Sequence, residues 1–406
     1  MPSVLPDGES VPSDGSLPES ALESFGERPL GFYVHVPFCS VRCGYCDFNT
    51  YTASELGAGV SRTSYADLAI AEIRQARRVL GSADAPVRSV FFGGGTPTLL
   101  PPADLVRILC AIGSEFGLAH DAEVTTESNP DSVSAADLAV LREGGINRLS
   151  FGMQSAVPHV LGVLDRTHDP ARVPQAVDWS RAAGFEQVSL DLIYGTPGES
   201  PADWQTSLDS ALASEPDHLS AYALIVEAGT ALARQVRRGE VPMTDDDDLA
   251  DKYLAADAAM GKAGLGWYEV SNWARTPAAR CRHNLGYWTG GDWWGVGPGA
   301  HSHVGGVRWW NVKHPAAYAD RIAASASPAH AREVLDQETR RIERVLLEVR
   351  LGDGLAVEVL DAAGRARIPE LLRRGLVDAD ALGRGHVVLT QNGRLLADAV
   401  VRDLLP

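Results

Sequence analysis

The sequence predicts an α/β fold: an incomplete (βα)6 TIM-like barrel followed by a smaller α+β domain. Three observations predict it. From Gly31 a short apolar, β-branched run and a helical run alternate six times, which implies parallel strands with helices packed outside. Six units without a seventh or eighth fall short of a closed barrel. The residues that carry chemistry sit at or near the ends of the strand runs, where such barrels build their sites.

Residues 1–28 are rich in Pro, Gly, Ser and acids, with little to bury, and read as a disordered tail. The barrel is expected over 29–228. Its strand runs are 32–36, 87–92, 123–126, 148–152, 187–194 and 219–226. Helical runs at 65–80, 103–116, 135–143, 172–183 and 202–213 lie between them. An accessory region, 229–334, follows. Its four carboxylates at 245–248 precede an apolar-periodic helix and read as a helix start that complements the dipole. Residues 267–310 hold seven of the nine tryptophans and many glycines. The last region, 335–406, begins with Ile342, Val345, Leu346 and Val349 on one helical face. A helix at 368–374, a strand at 386–390 and a helix at 394–405 complete an order that resembles a winged helix, expected as a structural or docking module.

The formal net charge of −17 argues against a nucleic-acid binder, which carries a basic patch, and against docking on anionic lipid. No run of about 18 apolar residues is present, so no membrane span is expected. The N-terminus lacks the basic start and apolar run of a signal peptide. A cytoplasmic protein is therefore expected. Three of the five cysteines lie within eight residues, which in a reducing compartment points to metal or redox chemistry rather than disulfides.

Those three, Cys39, Cys43 and Cys46, directly follow the first strand run in the spacing Cys-x3-Cys-x2-Cys. Thiolates are soft ligands suited to iron–sulfur clusters. Three on one tight loop hold three irons of a cubane and leave the fourth open. The competing reading is zinc, whose structural sites pair two such knuckles and need four ligands. Cys110 lies far along the chain in an apolar helical run and reads as core.

With Tyr45 just before the last cysteine, the loop resembles the signature of the radical S-adenosylmethionine (SAM) superfamily. Tyr33-Val34-His35-Val36-Pro37-Phe38-Cys39 and Cys46-Asp47-Phe48 resemble its anaerobic coproporphyrinogen III oxidase branch, and within it the heme chaperones. The likeness covers roughly residues 29–400. It implies a radical SAM barrel holding a [4Fe–4S] cluster, with SAM chelated at the open iron; an electron from such a cluster cleaves the sulfonium. It implies that Gly94, Gly95 and Thr96, in the GGTP motif that follows Gly93, contact the methionyl end. Glu127 and Arg166 are implied near the methionyl amino and carboxyl groups, as charge logic requires. Gln154 and Asp191 are implied near the ribose, and a carboxylate inside the apolar run at Asp191 does need a partner. Tyr33 and Tyr45 would pack around the cluster and adenine, with Ile193 as an apolar adenine contact. Taken alone, Arg166 also fits a solvated helix charge.

The oxidases of this branch carry a fourth cysteine two positions after the third, where this chain has Phe48. Arg282-His283-Asn284-Leu285-Gly286-Tyr287-Trp288 resembles instead the HNxxYW motif of the chaperones. The resemblance implies haem as a bound group and a haem-accepting protein as partner, a membrane protein met transiently included. Haem takes an axial ligand, commonly His, and flat aromatic walls. His283 beside Tyr287 and Trp288 offers both; Cys281 and His301 are the alternatives. Two other readings stay open: a radical SAM enzyme acting on a porphyrin, as oxidase or methyltransferase, and an inert iron–sulfur scaffold. Whether SAM is turned over, and so whether the chain is an enzyme, is left open.

Overall fold

The computed structural model describes residues 7–56, 60–82 and 85–405. Six parallel strands form the barrel wall in chain order: β1 (Leu30–Val36), β2 (Val87–Gly94), β3 (Leu118–Ser128), β4 (Arg148–Gln154), β5 (Gln187–Tyr194) and β6 (His218–Ala223). The expected helices join them, among them Arg62–Leu80, Pro102–Phe116 and Pro201–Ala213. Ser61, Ser134 and Ser200 start three of the helices with capping boxes, each satisfying backbone N–H groups that a first turn leaves open.

The strands are apolar on one face only. In β1, Phe32, Val34 and Val36 join the main core with Val90, Phe92, Leu149, Phe151, Leu190 and Leu192. The alternate residues face the lumen and are mostly polar. The register sets Ser89 beside Glu123 and Phe91 beside Thr125, then Glu127 beside Ser150, Gly152 beside Asp191 and Ser189 beside His218. Parallel strands buried on both faces normally read as continuous apolar runs. A polar lumen is the departure that marks a ligand-holding interior.

Several expectations change. The strands of the accessory region extend the barrel sheet at both edges. β7 (Gly266–Glu269) and β8 (Asn272–Ala274) add beyond β6, while β9 (Asp292–Val296), β10 (His301–Val304), β11 (Val307–Asn311) and β12 (Ala329–Val334) add beyond β1. β9 runs parallel to β1, with Phe32 opposite Trp294. It is a seventh parallel strand that the βα pattern does not announce. The carboxylates at 245–248 do start a helix, Asp246–Lys262, with Asp245 accepting from the Asp248 N–H.

Residues 7–28 are not the disordered tail their composition suggests; residues 1–6 of that segment lie outside the described residues. Glu9 bridges Arg332 on edge strand β12 and pairs with its guanidinium at 2.7 Å. Ala21 and Phe25 are buried in the main core. The C-terminal region has its own core of Val345, Val349, Leu371, Val387 and Val400, built from a helix Gln337–Glu348, further short helices and a ribbon of β13 (Leu355–Ala356) and β14 (His386–Val387). The expected last helix is two pieces, Gln391–Leu395 and Ala397–Leu404. Cys110, expected in the core, is exposed. Among the described residues no helix is long and apolar enough to cross a membrane.

Candidate functional site

The loop after β1 carries Cys39, Cys43 and Cys46 to the barrel mouth. Its ends are tied by Cys39 N–H to the Tyr51 carbonyl (3.0 Å) and Tyr51 N–H to the Pro37 carbonyl (2.7 Å). His35, buried beneath, bonds the Asn49 carbonyl through Nε2 at 2.9 Å and the Tyr33 hydroxyl through Nδ1 at 3.0 Å. Burial holds the His35 ring near a pKa of about 4, so it is neutral. Asn49 in turn donates to the carbonyls of Pro298 (3.0 Å) and Lys313 (2.9 Å). The three thiols are unpaired and half-buried. Burial, then the charges of Cys46 and Cys43, push the Cys39 thiol up to about 11, against the hydroxyls of Thr50 and Thr96. Three clustered thiols that burial disfavours as free thiolates are a donor set whose ionised form iron would stabilise. Among the described residues no three His, Cys, Asp or Glu side chains converge closely enough for one ion. A cubane asks for no such convergence, because each thiolate binds a different iron.

The glycine turn at the end of β2 is explained by crowding. A β-carbon on Gly93 would meet Tyr33 and Glu127 at 3.0 and 3.2 Å. One on Gly94, at φ +109°, would meet the His35 ring at 2.6 Å. One on Gly95 would strike the Phe38 carbonyl and lie 3.1 Å from the Cys39 sulfur. Gly95 therefore packs against the thiol loop, and all three glycines are required by close neighbours before any ligand is considered. Gly95 N–H and Thr96 N–H bond the carbonyls of Val36 (2.8 Å) and Phe38 (2.7 Å).

The acidic and basic residues expected at the strand ends meet around this turn. Glu127 accepts from the Gly94 N–H at 3.1 Å. Burial and then the charge of Asp191 raise its carboxyl to about 8. Asp191 accepts from Ser150 at 3.0 and 2.9 Å, and burial raises it to about 6. Arg166 donates through one Nη to Asn129 Oδ1 (2.6 Å) and to the Gly152 carbonyl (2.9 Å). Gln154 ends β4 at φ +61°, a left-handed conformation rare outside glycine. Tyr45 packs with Ile193, Val157, Val160 and Leu164 in one apolar cluster, and Leu232 N–H ties the neighbouring Gly44 carbonyl at 2.9 Å. The shell thus offers an acid, a base, two ribose-compatible polar groups and an apolar wall around the thiols. Asn129 and Ser150 were not expected. Ser150 was legible only in the strand alternation, and Asn129 had no signal beyond its place after a strand.

His283 is elsewhere. Helix Arg282–Trp288 plugs the opposite end of the barrel, where the strands begin. Glu123 accepts from the backbone N–H groups of Arg282 and His283, each at 3.0 Å. Arg148 donates to the Ala279 carbonyl at 2.7 Å, and His218 bonds Tyr268 at 2.8 Å. His283 lies between Tyr33, Phe91 and Tyr287, with Nδ1 on Ser89 (3.0 Å) and Nε2 on the Tyr287 hydroxyl (2.8 Å). Burial lowers its pKa to about 3. Both nitrogens are engaged, so in this conformation it is part of the floor and not an open axial ligand. A cavity of about 340 Å³, lined by His283, Tyr287, Trp293, Leu30 and Arg282, opens beside it. Cys281 is buried at the same floor. His301 stacks on Trp310, and its Nε2 is buried with no partner.

A model of the radical SAM superfamily matches residues 33–211. A heme chaperone HemW of Mycobacterium tuberculosis is 52% identical over 379 residues, covering 93% of this chain and 95% of that protein. The chain belongs to the HemW family. A heme chaperone HemW of Bacillus subtilis is 31% identical over 377 residues, 91% of this chain and 97% of that protein. Among solved structures, the coproporphyrinogen III oxidase HemN of Escherichia coli, a radical SAM enzyme, aligns with a TM-score of 0.81 at 23% identity. It covers 97% of this chain and 94% of that one, so the fold is shared from end to end. Where the HemN-like oxidases are expected to place a fourth cysteine, Phe48 stands half-exposed on the thiol loop.

Proposed function

We propose that this chain is a heme chaperone that holds a [4Fe–4S] cluster and SAM at the barrel mouth, binds haem, and passes it to an acceptor protein. One observation carries the reading: proteins described as heme chaperone HemW match it over 93% and 91% of its length. Cys39, Cys43 and Cys46 would hold the cluster, which when bound supplies a single electron to SAM. Around it, Glu127 takes the ligand's ammonium and Arg166 its carboxylate. Gln154 and Asp191 hold the ribose hydroxyls, and Tyr45 with Ile193 walls off the adenine. Gly94, Gly95 and Thr96 line the methionyl end, with Tyr33 beneath. The haem ligand is to be found among His283, His301 and Cys281. Use of His283 requires its Nε2 to leave Tyr287.

Anaerobic reconstitution tests the cluster assignment. The chain should hold about four irons. Ala at any one of Cys39, Cys43 or Cys46 should remove most of that iron, whereas Ala at Cys110 should not. Incubation with SAM and coproporphyrinogen III should yield no protoporphyrinogen. Its appearance would move the chain to the oxidases.

A further inference from the structure

One amide ties the two sides of the SAM shell together. Asn129 follows β3 and precedes Pro130, which confines its backbone to extended conformations. Its carbonyl is held by the Ser132 N–H at 3.0 Å, the Ser132 hydroxyl at 2.8 Å and the Ser128 hydroxyl at 3.1 Å. From this fixed base the side chain does two jobs. Oδ1 accepts from an Nη of Arg166 at 2.6 Å, and Nδ2 donates to the Thr96 hydroxyl at 3.2 Å. The same Nη also reaches the Gly152 carbonyl at 2.9 Å. That amino group is thereby used up, while Arg166 Nε is buried with no partner. A buried guanidinium N–H without an acceptor is costly, and a ligand oxygen would remove the cost. An amide can accept from the arginine through its oxygen and donate to the threonine through its nitrogen at the same time. A carboxylate at 129 would accept twice and would neutralise the charge that the ligand needs.

We propose that Asn129 is a positioning residue: it clamps one amino group of Arg166 against Gly152, so that the remaining edge of the guanidinium faces the methionyl carboxylate of SAM. This rests on the SAM reading given above. Glu127 lies two residues upstream on the same strand end, so one short segment sets both the ammonium and the carboxylate contacts.

The test is a double-mutant cycle on anaerobically reconstituted full-length chain, with binding measured by titration calorimetry. Asn129→Ala should weaken SAM roughly tenfold, the loss of a charge-assisted contact. Arg166→Ala should weaken it at least as much, and adding Asn129→Ala to it should cost nothing further, because the amide acts through the arginine. Asn129→Asp, nearly isosteric, should also weaken SAM. Affinity for 5′-deoxyadenosine, which lacks the methionyl group, should stay unchanged in Asn129→Ala and Asn129→Asp. Additive losses in the cycle, equal losses for SAM and 5′-deoxyadenosine, or full SAM affinity in Asn129→Ala would each overturn the proposal. A wild-type chain that binds no SAM would bring down the underlying reading, a different result from any of these.

Discussion

Of the two site carboxyls Glu127 is raised further from its ordinary range than Asp191. Burial, and then the charge of Asp191, raise its carboxyl to about 8. A carboxyl raised this way contributes stability that is present below its unfolded value and is lost as pH rises through about 8. A ligand ammonium favours the ionised form, so SAM affinity should rise with pH toward 8, by up to about tenfold per unit. Calorimetry across that window checks this, and Glu127→Gln should bind weakly with a flat profile. A wild-type affinity independent of pH would show that Glu127 does not meet the ammonium. His283 makes the opposite case, a polar group already satisfied. Tyr287→Phe releases its Nε2, and if His283 ligates haem this variant should retain haem at least as well as wild type. His283→Ala should shift the Soret band and lose haem on desalting, with cluster iron unchanged. Equal haem retention and spectra in both would pass the role to His301 or Cys281.

The glycine turn after β2 and the thiol loop after β1 behave as one unit, because Gly95 leaves no room between them. Gly95→Ala would drive a methyl into the Phe38 carbonyl and the Cys39 sulfur. Overpacking of this kind costs roughly 1–3 kcal/mol. The expected outcome is a folded barrel with unchanged far-ultraviolet circular dichroism and a markedly lower iron content after reconstitution. Unaltered iron would mean that the loop has slack that its contacts do not suggest. The lumen tells a similar story across elements. In β1 and β5 mostly polar residues alternate with core residues, so the lumen face, with Ile193 as an apolar exception, becomes available for ligands.

Among the described residues one sheet of twelve strands carries the barrel, which helix Arg282–Trp288 closes at its floor, and the ribbon of β13 and β14 forms a second sheet in the C-terminal region. The N-terminal segment straps edge strand β12 through Glu9 and buries Phe25. Burying one such side chain is worth roughly 1.5–3 kcal/mol. Deleting residues 1–28 should therefore lower Tm by a few degrees and, by uncovering an edge strand, favour self-association. Thermal unfolding and size-exclusion chromatography check both. An unchanged Tm would mean that the strap adds nothing to stability.

Sequence alone determined the parts that are local and periodic. The six βα units were legible because strand and helix periods differ, and the thiol loop because three cysteines within eight residues have few uses. Glu127, Gln154, Arg166 and Asp191 were expected together because the chain resembles a known family at all four positions in order; each one alone could have been a surface or paired group. What the tertiary structure decided are pairings between distant residues. β9 joins β1 although most of the barrel separates them in the chain. The acidic segment at 7–28 is ordered because Arg332 and the core residues that cover Phe25 come from elsewhere. His283 stood beside aromatics in the sequence, as a haem ligand might. Whether its nitrogens were free depended on Ser89 and Tyr287. A side chain's chemistry follows from which of its polar atoms remain unsatisfied, and that is settled only when the chain has closed around it.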